Sequence, residues 1–424
     1  MPKYEIETQS KERVVLALIN PDAESDDYVE EELRALVDSA GLDTAAVFRQ
    51  RRRSPDVSTF IGKGKVEELA GHIAEIQPDA LIVDGELNAV QAKNLEEALD
   101  VKIIDRTQLI LDIFAQRAHT REAALQVELA QLKYLLPRLM GKGTALSRLG
   151  AGIGTRGPGE TKLESDRRRI RARIARLEED IQEAAHQRDR QRKSRRELPF
   201  PFGAIVGYTN AGKSTLLNAL TKAEVYADDR LFATLQPTTR KVALPGGWSA
   251  LLSDTVGFLD NLPHTLIEAF KSTLQEASEA DFLIHVIDAS NPNWELQRDA
   301  VMETLGELGV HDAPTITVFN KADKVKDSFA LRQLVAEQEN AVAISARTGL
   351  GLDDLLDRIM NTVDAMLVDV HARLTYADSS LVDECYAYGY VKKADYDETG
   401  IALTARVLPE MAERLKRASQ HSAP

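Results

Sequence analysis

Short apolar runs alternate with longer amphipathic segments over about the first hundred residues. The predicted strands are VVLALI (14–19), AAVFRQ (45–50), ALIVD (80–84) and KIID (102–105), and the predicted helices cover 27–40, 63–76 and 88–99. Parallel strands need a crossover of a dozen or more residues between them, which is usually a helix. The pattern therefore predicts an α/β domain around a mainly parallel sheet.

The next part of the chain has two helical segments separated by a glycine-rich stretch. Residues 107–136 keep a helical period, and we expect this helix to end near Pro137, because proline disrupts a helix interior. Residues 141–162 contain seven glycines and predict a mobile loop. A second long helix follows, with apolar residues at helical intervals: Leu163, Ile170, Ile174, Leu177 and Ile181. The two helices are expected to pair as an antiparallel hairpin.

A second α/β domain is predicted after the junction marked by Pro199 and Pro201. Its strands read GAIVG (203–207), WSALLSD (248–254), FLIHVID (282–288), TITVFN (315–320) and AVAIS (341–345). The last part predicts strands at 386–394 and 401–407, a turn between them and a helix at 409–418. We therefore expect a multidomain α/β protein with an N-terminal α/β domain, a helical hairpin, a second α/β domain and a small α+β domain, divided as 1–106, 107–198, 199–367 and 368–424.

Composition excludes several classes of protein. Of the 424 residues, 43% are hydrophobic and 28% are charged, as in ordinary globular proteins. No apolar stretch approaches the roughly 20 residues of a membrane span, so we expect a cytoplasmic protein and leave partial membrane association open. The single cysteine, Cys385, excludes an internal disulfide and a multi-cysteine metal site.

Charge is distributed unevenly along the chain. The net charge is -14, yet residues 134–196 carry 17 lysines and arginines against 8 acidic residues, a net +9. A local reversal of this kind indicates an anionic partner.

The segment GYTNAGKS at 207–214 matches the phosphate-binding pattern G-x-x-x-x-G-K-[ST]. It follows a predicted strand and begins a predicted helix, whose N-terminal N–H groups surround phosphates with donors. Gly207 and Gly212 allow the tight turn, Lys213 supplies a cation to the β- and γ-phosphates, and Ser214 offers a hydroxyl to Mg²⁺. The predicted contacts of this loop are Gly207, Tyr208, Thr209, Asn210, Ala211, Gly212, Lys213, Ser214 and Thr215.

Three more motifs follow predicted strands, in the order that a GTP site requires. In DTVG, Asp254 is placed to hold the magnesium shell through water, and Gly257 can direct its N–H to the γ-phosphate. In NKAD, the Asp323 carboxylate can accept hydrogen bonds from guanine N1–H and the exocyclic amine, which adenine lacks at these positions. The predicted contacts from these motifs are Asp254, Thr255, Val256 and Gly257, then Asn320, Lys321, Ala322 and Asp323, then Ser345, Ala346 and Arg347.

Four further segments narrow the class of GTP-binding protein. TFIGKGKVEEL (59–69), IIDRTQLILDIFAQRA (103–118), GIGTRGPGETKLE (152–164) and LFATLQPTTR (231–240) resemble signatures of the HflX family of ribosome-associated GTPases. The resemblance covers nearly the whole chain. It implies a GTPase that binds the large ribosomal subunit and ribosomal RNA, splits ribosomes, especially under stress, and is monomeric off the ribosome.

The resemblance also implies a switch segment. Its expected nucleotide contacts are Phe232, Ala233, Thr234, Leu235 and Gln236. Thr234 is implied as the second Mg²⁺ ligand, and Gln236 stands where the family pattern has aspartate. We expect GTP with Mg²⁺ to order residues 228–240 and 255–265, and GDP to release them.

The predicted catalytic residues are Lys213, Gly257 and Asn210 from the motifs, together with Thr234, which the resemblance implies. Phe258 follows DTVG at the position where many GTPases have a glutamine that orients water. Slow intrinsic hydrolysis is therefore expected, and a GTP-dependent binding or assembly factor without significant turnover remains the alternative. Related GTPases bind K⁺ at an asparagine in the position of Asn210, although this residue could simply cap the turn. Equal turnover in sodium and potassium buffers would leave only the capping role.

The RNA contact is expected at the glycine-rich loop and the arginine-rich helix. Arg148, Arg156 and Lys162 lie among the glycines and can meet phosphates without a base code. The alternative is a solvated helix face beside a linker. IGKGK (61–65) could mark a second nucleotide or anion site, but a helix-entry turn explains it more simply. An ATP-driven RNA-remodelling activity of the N-terminal domain lacks a second complete phosphate motif.

Overall fold

The computed structural model describes residues 11–20, 26–149, 162–196, 200–221, 231–232, 235, 237–260, 276–310 and 313–420. These residues form two compact units. The first contains the described residues up to Ala185 together with Leu231, Phe232 and Leu235, and the second contains the others. None of the helices in the described ranges combines the length and the apolarity that a membrane crossing requires.

The first unit begins with a parallel sheet. Its elements in chain order are β1 (Arg13–Asn20), α1 (Asp26–Ser39), β2 (Asp43–Arg51), α2 (Lys63–Ile76), β3 (Ala80–Val83), α3 (Ala89–Leu99) and β4 (Lys102–Asp105). The strand order is β2-β1-β3-β4, and every pair is parallel. All four residues of β3 are buried, because helices cover both faces of such a sheet. The predicted α/β arrangement of this domain is confirmed.

Two helices follow β4 where the sequence predicted one. They are α4 (Arg106–Arg117) and α5 (Arg121–Leu149). The prediction that the helix ends near Pro137 is wrong, because α5 continues through the proline. Tyr134 Oη donates to Asp105 Oδ1 at 2.6 Å, and Arg138 Nη2 donates to Oδ2 at 2.6 Å. These bonds to a fully buried carboxylate hold both sides of the proline in place and offset the helix hydrogen bond that proline cannot make.

The first part of the glycine-rich stretch is helical. Residues 141–149, predicted to be mobile, belong to α5, and residues 150–161 lie outside the described ranges. The second long helix, α6 (Lys162–Arg196), is confirmed in place and length. Two ion pairs link it to α5, Arg173 to Glu128 at 2.7 Å and Lys133 to Glu178 at 2.8 Å. Such exposed pairs contribute little to stability, but these contacts show that the two helices lie side by side.

The second unit contains a six-stranded sheet. Its elements are β5 (Phe202–Gly207), α7 (Lys213–Thr221), β6 (Thr238–Ala243), β7 (Ser249–Asp254), β8 (Phe282–Asp288), α8 (Trp294–Glu307), β9 (Thr315–Asn320), α9 (Ser328–Glu337), β10 (Ala341–Ala343) and α10 (Leu352–Met366). The order is β10-β9-β8-β5-β7-β6, parallel except where β6 runs antiparallel to β7. The five predicted strands are confirmed. β6 was not predicted, because this edge strand has one buried residue and no apolar run.

The last part of the chain forms an α+β domain. Its elements are β11 (Val368–Leu374), α11 (Ser379–Tyr388), β12 (Tyr390–Asp397), β13 (Gly400–Val407) and α12 (Pro409–Gln420). The strands form an antiparallel sheet in the order β11-β13-β12. The strand predicted over 386–394 is wrong in its first half, where α11 continues to Tyr388. Val382 and Cys385 are three residues apart and bury themselves in this core, which favours a helix.

Candidate nucleotide site

The predicted motifs lie at the carboxyl ends of neighbouring strands in the second unit. β5 leads into the loop 207–214, β7 into DTVG, β9 into NKAD and β10 into the SAR segment. Parallel strands end at the same sheet edge, where open α/β sheets bind their ligands. The fold therefore brings together motifs that are far apart in the sequence.

Two glycines of the phosphate loop cannot be replaced without a clash. Gly207 has φ +153°, and a Cβ there would overlap the carbonyl oxygen of Val286. Gly212 has φ +96°, and a Cβ there would overlap Nδ2 of Asn320. Because both positions need a backbone conformation that L residues rarely adopt, the loop geometry itself requires glycine.

Lys213 is buried at the beginning of α7. Its ammonium donates to the carbonyl oxygens of Gly207 at 3.0 Å and Tyr208 at 2.8 Å. Burial lowers the pKa of Lys213 to about 8, and the Asp254 carboxylate partly opposes this shift. The side chain thus places a cation inside the phosphate loop.

Ser214 and Asp254 meet at the same end of the site. The Ser214 hydroxyl donates to Asp254 Oδ2 at 2.6 Å. Within the described ranges, no group of three or more His, Cys, Asp or Glu side chains could hold a metal ion. A hydroxyl and one carboxylate suit Mg²⁺, which keeps several waters and usually takes its other ligands from substrate phosphates.

Asn320 connects three loops. Its Nδ2 donates to the Ala211 carbonyl oxygen at 2.8 Å, and its Oδ1 accepts from the Ala346 N–H at 3.0 Å. Ala322 N–H also donates to the Ile344 carbonyl oxygen at 3.0 Å. The phosphate loop, NKAD and the SAR segment are therefore braced against one another.

Lys321 has a partner that sequence reasoning missed. Its Nζ lies 2.7 Å from Asp288 Oδ2, and its backbone has φ +60°. Asp288 ends β8, and its Oδ1 accepts from both the N–H and the hydroxyl of Ser290. The signal available in the sequence was an acidic residue at the end of a buried strand, FLIHVID.

Asp323 is exposed at the same sheet edge. A hydrogen bond from the Ser345 side chain lowers the pKa of this carboxyl below its ordinary value. Ser345 is fully buried, and Arg347 is exposed beyond it. The carboxylate is therefore ionised and held by its neighbour at the position expected for a guanine contact.

DTVG is followed by a segment that pairs with the phosphate loop. Asp254, Thr255 and Val256 are buried, and Phe258 is 1% exposed. Phe258 forms a backbone bridge with Tyr208. Asn210 lies on the loop surface with φ +59°, a left-handed conformation that asparagine tolerates.

The predicted switch residues belong partly to the other unit. Ala233, Thr234 and Gln236 lie outside the described residues. Phe232 and Leu235, expected to contact the nucleotide, are buried in the first unit with 2% and 4% of their surface exposed. The Phe232 ring meets Phe114 edge to face at a centroid distance of 4.7 Å, and Leu231 N–H donates to Ser39 Oγ at 2.9 Å.

Two of the three predicted RNA contacts flank residues 150–161. Arg148 lies in the last turn of α5, and Lys162 is the first residue of α6. Arg156 lies outside the described residues. The roles of these three residues stay predictions.

A phosphate loop on a parallel sheet, with D-x-x-G, N-K-x-D and S-A-x motifs along the same edge, defines a P-loop GTPase, an enzyme that hydrolyses GTP. Four family models match in order: "GTP-binding GTPase N-terminal" at 27–115, "GTP-binding GTPase Middle Region" at 117–195, "50S ribosome-binding GTPase" at 202–321 and "HflX C-terminal domain" at 330–422. The chain belongs to the HflX family of GTPases.

Relatives match most of the chain. GTPase HflX of Caldanaerobacter subterraneus subsp. tengcongensis is 47% identical over 409 residues, which cover 96% of this chain and 94% of that protein. GTPase HflX of Escherichia coli is 41% identical over 379 residues, 89% of each chain. A GTP-binding protein from Sulfolobus solfataricus, crystallised with GDP, is 26% identical, with 82% of this chain and 98% of that chain covered and a TM-score of 0.43.

Proposed function

We propose that this GTPase binds the large ribosomal subunit and uses GTP to separate or remodel ribosomes, stalled ones included. The proposal rests on one observation. In a chain with a net charge of -14 that also carries the guanine-nucleotide motifs, residues 134–196 have a net charge of +9. Ribosomal RNA is polyanionic and attracts such a segment. The match of residues 202–321 to the description "50S ribosome-binding GTPase" supports this partner.

The nucleotide contacts proposed are those of the four motifs. Residues 207–215 hold the phosphates, and Asp323 selects guanine. Ser214 and Thr234 would hold Mg²⁺, with Asp254 acting through water, and the Ser214–Asp254 contact of 2.6 Å fits that use. The ion would neutralise charge on the phosphates. Asn210 is exposed on the loop and would hold K⁺, which would also neutralise charge on the phosphates.

The switch segment provides the proposed link to the rest of the protein. Leu231 and Phe232, just before Thr234, are anchored to α1 and α4 through Ser39 and Phe114. A γ-phosphate that pulls on Thr234 would therefore act on a segment already attached to the N-terminal domain. This attachment supports our proposal that the nucleotide state changes how that domain engages the ribosome.

Three arginines of α6 extend the proposed RNA surface. Arg169, Arg171 and Arg176 are exposed, and none forms an ion pair within the described part of the chain. Arg173 on the same helix is already paired with Glu128. Unpaired guanidinium groups suit phosphate contacts, because no intramolecular bond must break first.

Sedimentation of ribosomes tests the proposed function. With the protein and GTP, or a non-hydrolysable GTP analogue, we expect intact ribosomes to shift to separate subunits. With GDP they should remain intact, because the γ-phosphate is what orders the switch segments. Unchanged profiles with all three nucleotides would contradict ribosome splitting, and absence of co-sedimentation would contradict ribosome binding.

The arginine surface has its own prediction. Changing Arg169, Arg171 and Arg176 together to glutamine should weaken binding to the large subunit and make the slope of log affinity against log salt less negative by about 2. A control variant with Arg358 and Lys416 changed to glutamine removes exposed charges from other helices and should leave the slope unchanged. Equal slopes for both variants would exclude this surface.

The buried Phe258 favours a second candidate, a ribosome assembly or binding factor that uses GTP as a switch without significant turnover of its own. An apolar ring cannot orient a water for attack. Multiple-turnover release of phosphate with and without ribosomes separates the two functions. Turnover that ribosomes accelerate supports the first, and binding without turnover in either condition supports the second.

A further inference from the structure

Three hydrogen bonds join the phosphate loop to the segment after DTVG. Phe258 N–H donates to the Gly207 carbonyl oxygen at 3.2 Å, and Thr209 N–H donates to the Phe258 carbonyl oxygen at 2.7 Å. In the third bond the acceptor is a side chain, since Asp260 N–H donates to Tyr208 Oη at 2.8 Å. The two segments are thus paired like neighbouring strands, and the Tyr208 phenol closes the end of the pairing.

This pairing determines where Gly257 lies. A Cβ built on Gly257 would stand 2.9 Å from Thr209 Cα and 3.1 Å from Lys213 Nζ. Gly257 therefore sits directly against the phosphate loop and beside its lysine. The fold thus brings together the two groups expected to meet the γ-phosphate, the Gly257 N–H and the Lys213 ammonium.

We propose that Tyr208 is a positioning residue for the γ-phosphate. Its phenol holds residues 257–260 on the phosphate loop, so that Gly257 and Lys213 reach the same phosphate. The inference rests on the proposed GTP site and adds a residue that decides between GTP and GDP. Groups held in place beforehand bind more tightly, because less order is lost when the ligand arrives.

The hydroxyl is the part of Tyr208 that carries this role. The side chain is 4% exposed, so phenylalanine retains the buried ring and loses the hydroxyl that accepts from Asp260 N–H. One such bond corresponds to about a three- to tenfold change in an equilibrium. GDP lacks the γ-phosphate that Gly257 is expected to meet, so we expect GDP binding to depend much less on residues 257–260.

The test compares Tyr208→Phe with Tyr376→Phe. Tyr376 also loses a 2.8 Å phenol bond to a backbone group, the Asp397 carbonyl oxygen, but in the C-terminal domain. For Tyr208→Phe we expect affinity for a non-hydrolysable GTP analogue and the single-turnover hydrolysis rate each to fall about three- to tenfold. Affinity for GDP should stay within about twofold of the original, and the Asp260 amide should exchange with solvent faster. Tyr376→Phe should change none of these quantities.

Other outcomes overturn the inference. Equal losses for GDP and the GTP analogue would show a merely structural role of Tyr208 in the loop. No loss for either nucleotide, or tighter binding of the analogue, would show that the pairing does not prepare the γ-phosphate site. Failure of the unmodified protein to bind GDP in preference to ADP would instead contradict the proposed guanine site, so the two failures are distinguishable.

Discussion

Replacing Asp323 with asparagine is expected to lower the affinity for GTP at least a hundredfold and to transfer the preference to xanthosine triphosphate. The Asp323 carboxylate offers two acceptor oxygens at the end of β9, and Ser345 holds it in its ionised form. An asparagine amide faces the guanine amine with a second donor, which leaves two donors opposed. Sites built around hydrogen bonds discriminate strongly for this reason.

The nucleotide swap makes the experiment specific. Xanthine has a carbonyl oxygen in place of the guanine amine, so the asparagine amide can donate to it and still accept from N1–H. The matched control is Asp327→Asn, four residues away, whose carboxylate caps α9 by accepting from Phe329 and Ala330 N–H. Asparagine caps helices about as well, so GTP affinity should not change. Unaltered GTP binding by Asp323→Asn would refute the guanine assignment.

Replacing Lys213 with alanine is expected to reduce the rate of GTP hydrolysis about a thousandfold and to abolish GTP-dependent separation of ribosomes. Lys213 is the buried cation of the phosphate loop, with its ammonium 2.8 Å from the Tyr208 carbonyl oxygen. Charge that develops on the transferred phosphoryl group must be met by groups already in place, and removal of one such donor typically costs a hundred- to a thousandfold in rate. The loss in rate should be at the upper end of this range, because the lost group is charged.

Phosphate release and ribosome sedimentation measure this prediction together. Lys416→Ala, which removes an exposed lysine from α12, serves as the control and should behave as the original protein. Retention of ribosome separation by Lys213→Ala with GTP would break the proposed link between the phosphate loop and the ribosome.

Much of the fold was predictable from local pattern. All four strands of the first sheet were predicted from apolar runs, because strands that helices cover on both faces carry such runs, as the fully buried β3 does. The five strands that lead to or flank the nucleotide motifs were predicted for the same reason. α6 was predicted within a few residues, since its apolar residues keep a helical period over a long segment.

The errors share one cause. Pro137 lies inside α5 because Tyr134 and Arg138 bind a buried carboxylate from β4, which lies far earlier in the chain. β6 forms because β7 offers it an edge to pair with, although its own residues show no apolar run. α11 reaches Tyr388 because its inner residues pack against a sheet built partly from later strands. Local propensity is weak compared with such contacts.

The same division applies to the site. The sequence by itself determined the chemistry, since glycine, lysine, serine and aspartate stand at intervals that only a phosphate loop and a guanine-binding segment require. Only the tertiary structure decided which groups support them: Asp288 holds Lys321, Tyr208 holds Asp260, and Ser39 and Phe114 hold Leu231 and Phe232. The physical reason is distance, because motif spacing follows from the local backbone, whereas these partners meet only after strands and helices from remote parts of the chain have packed.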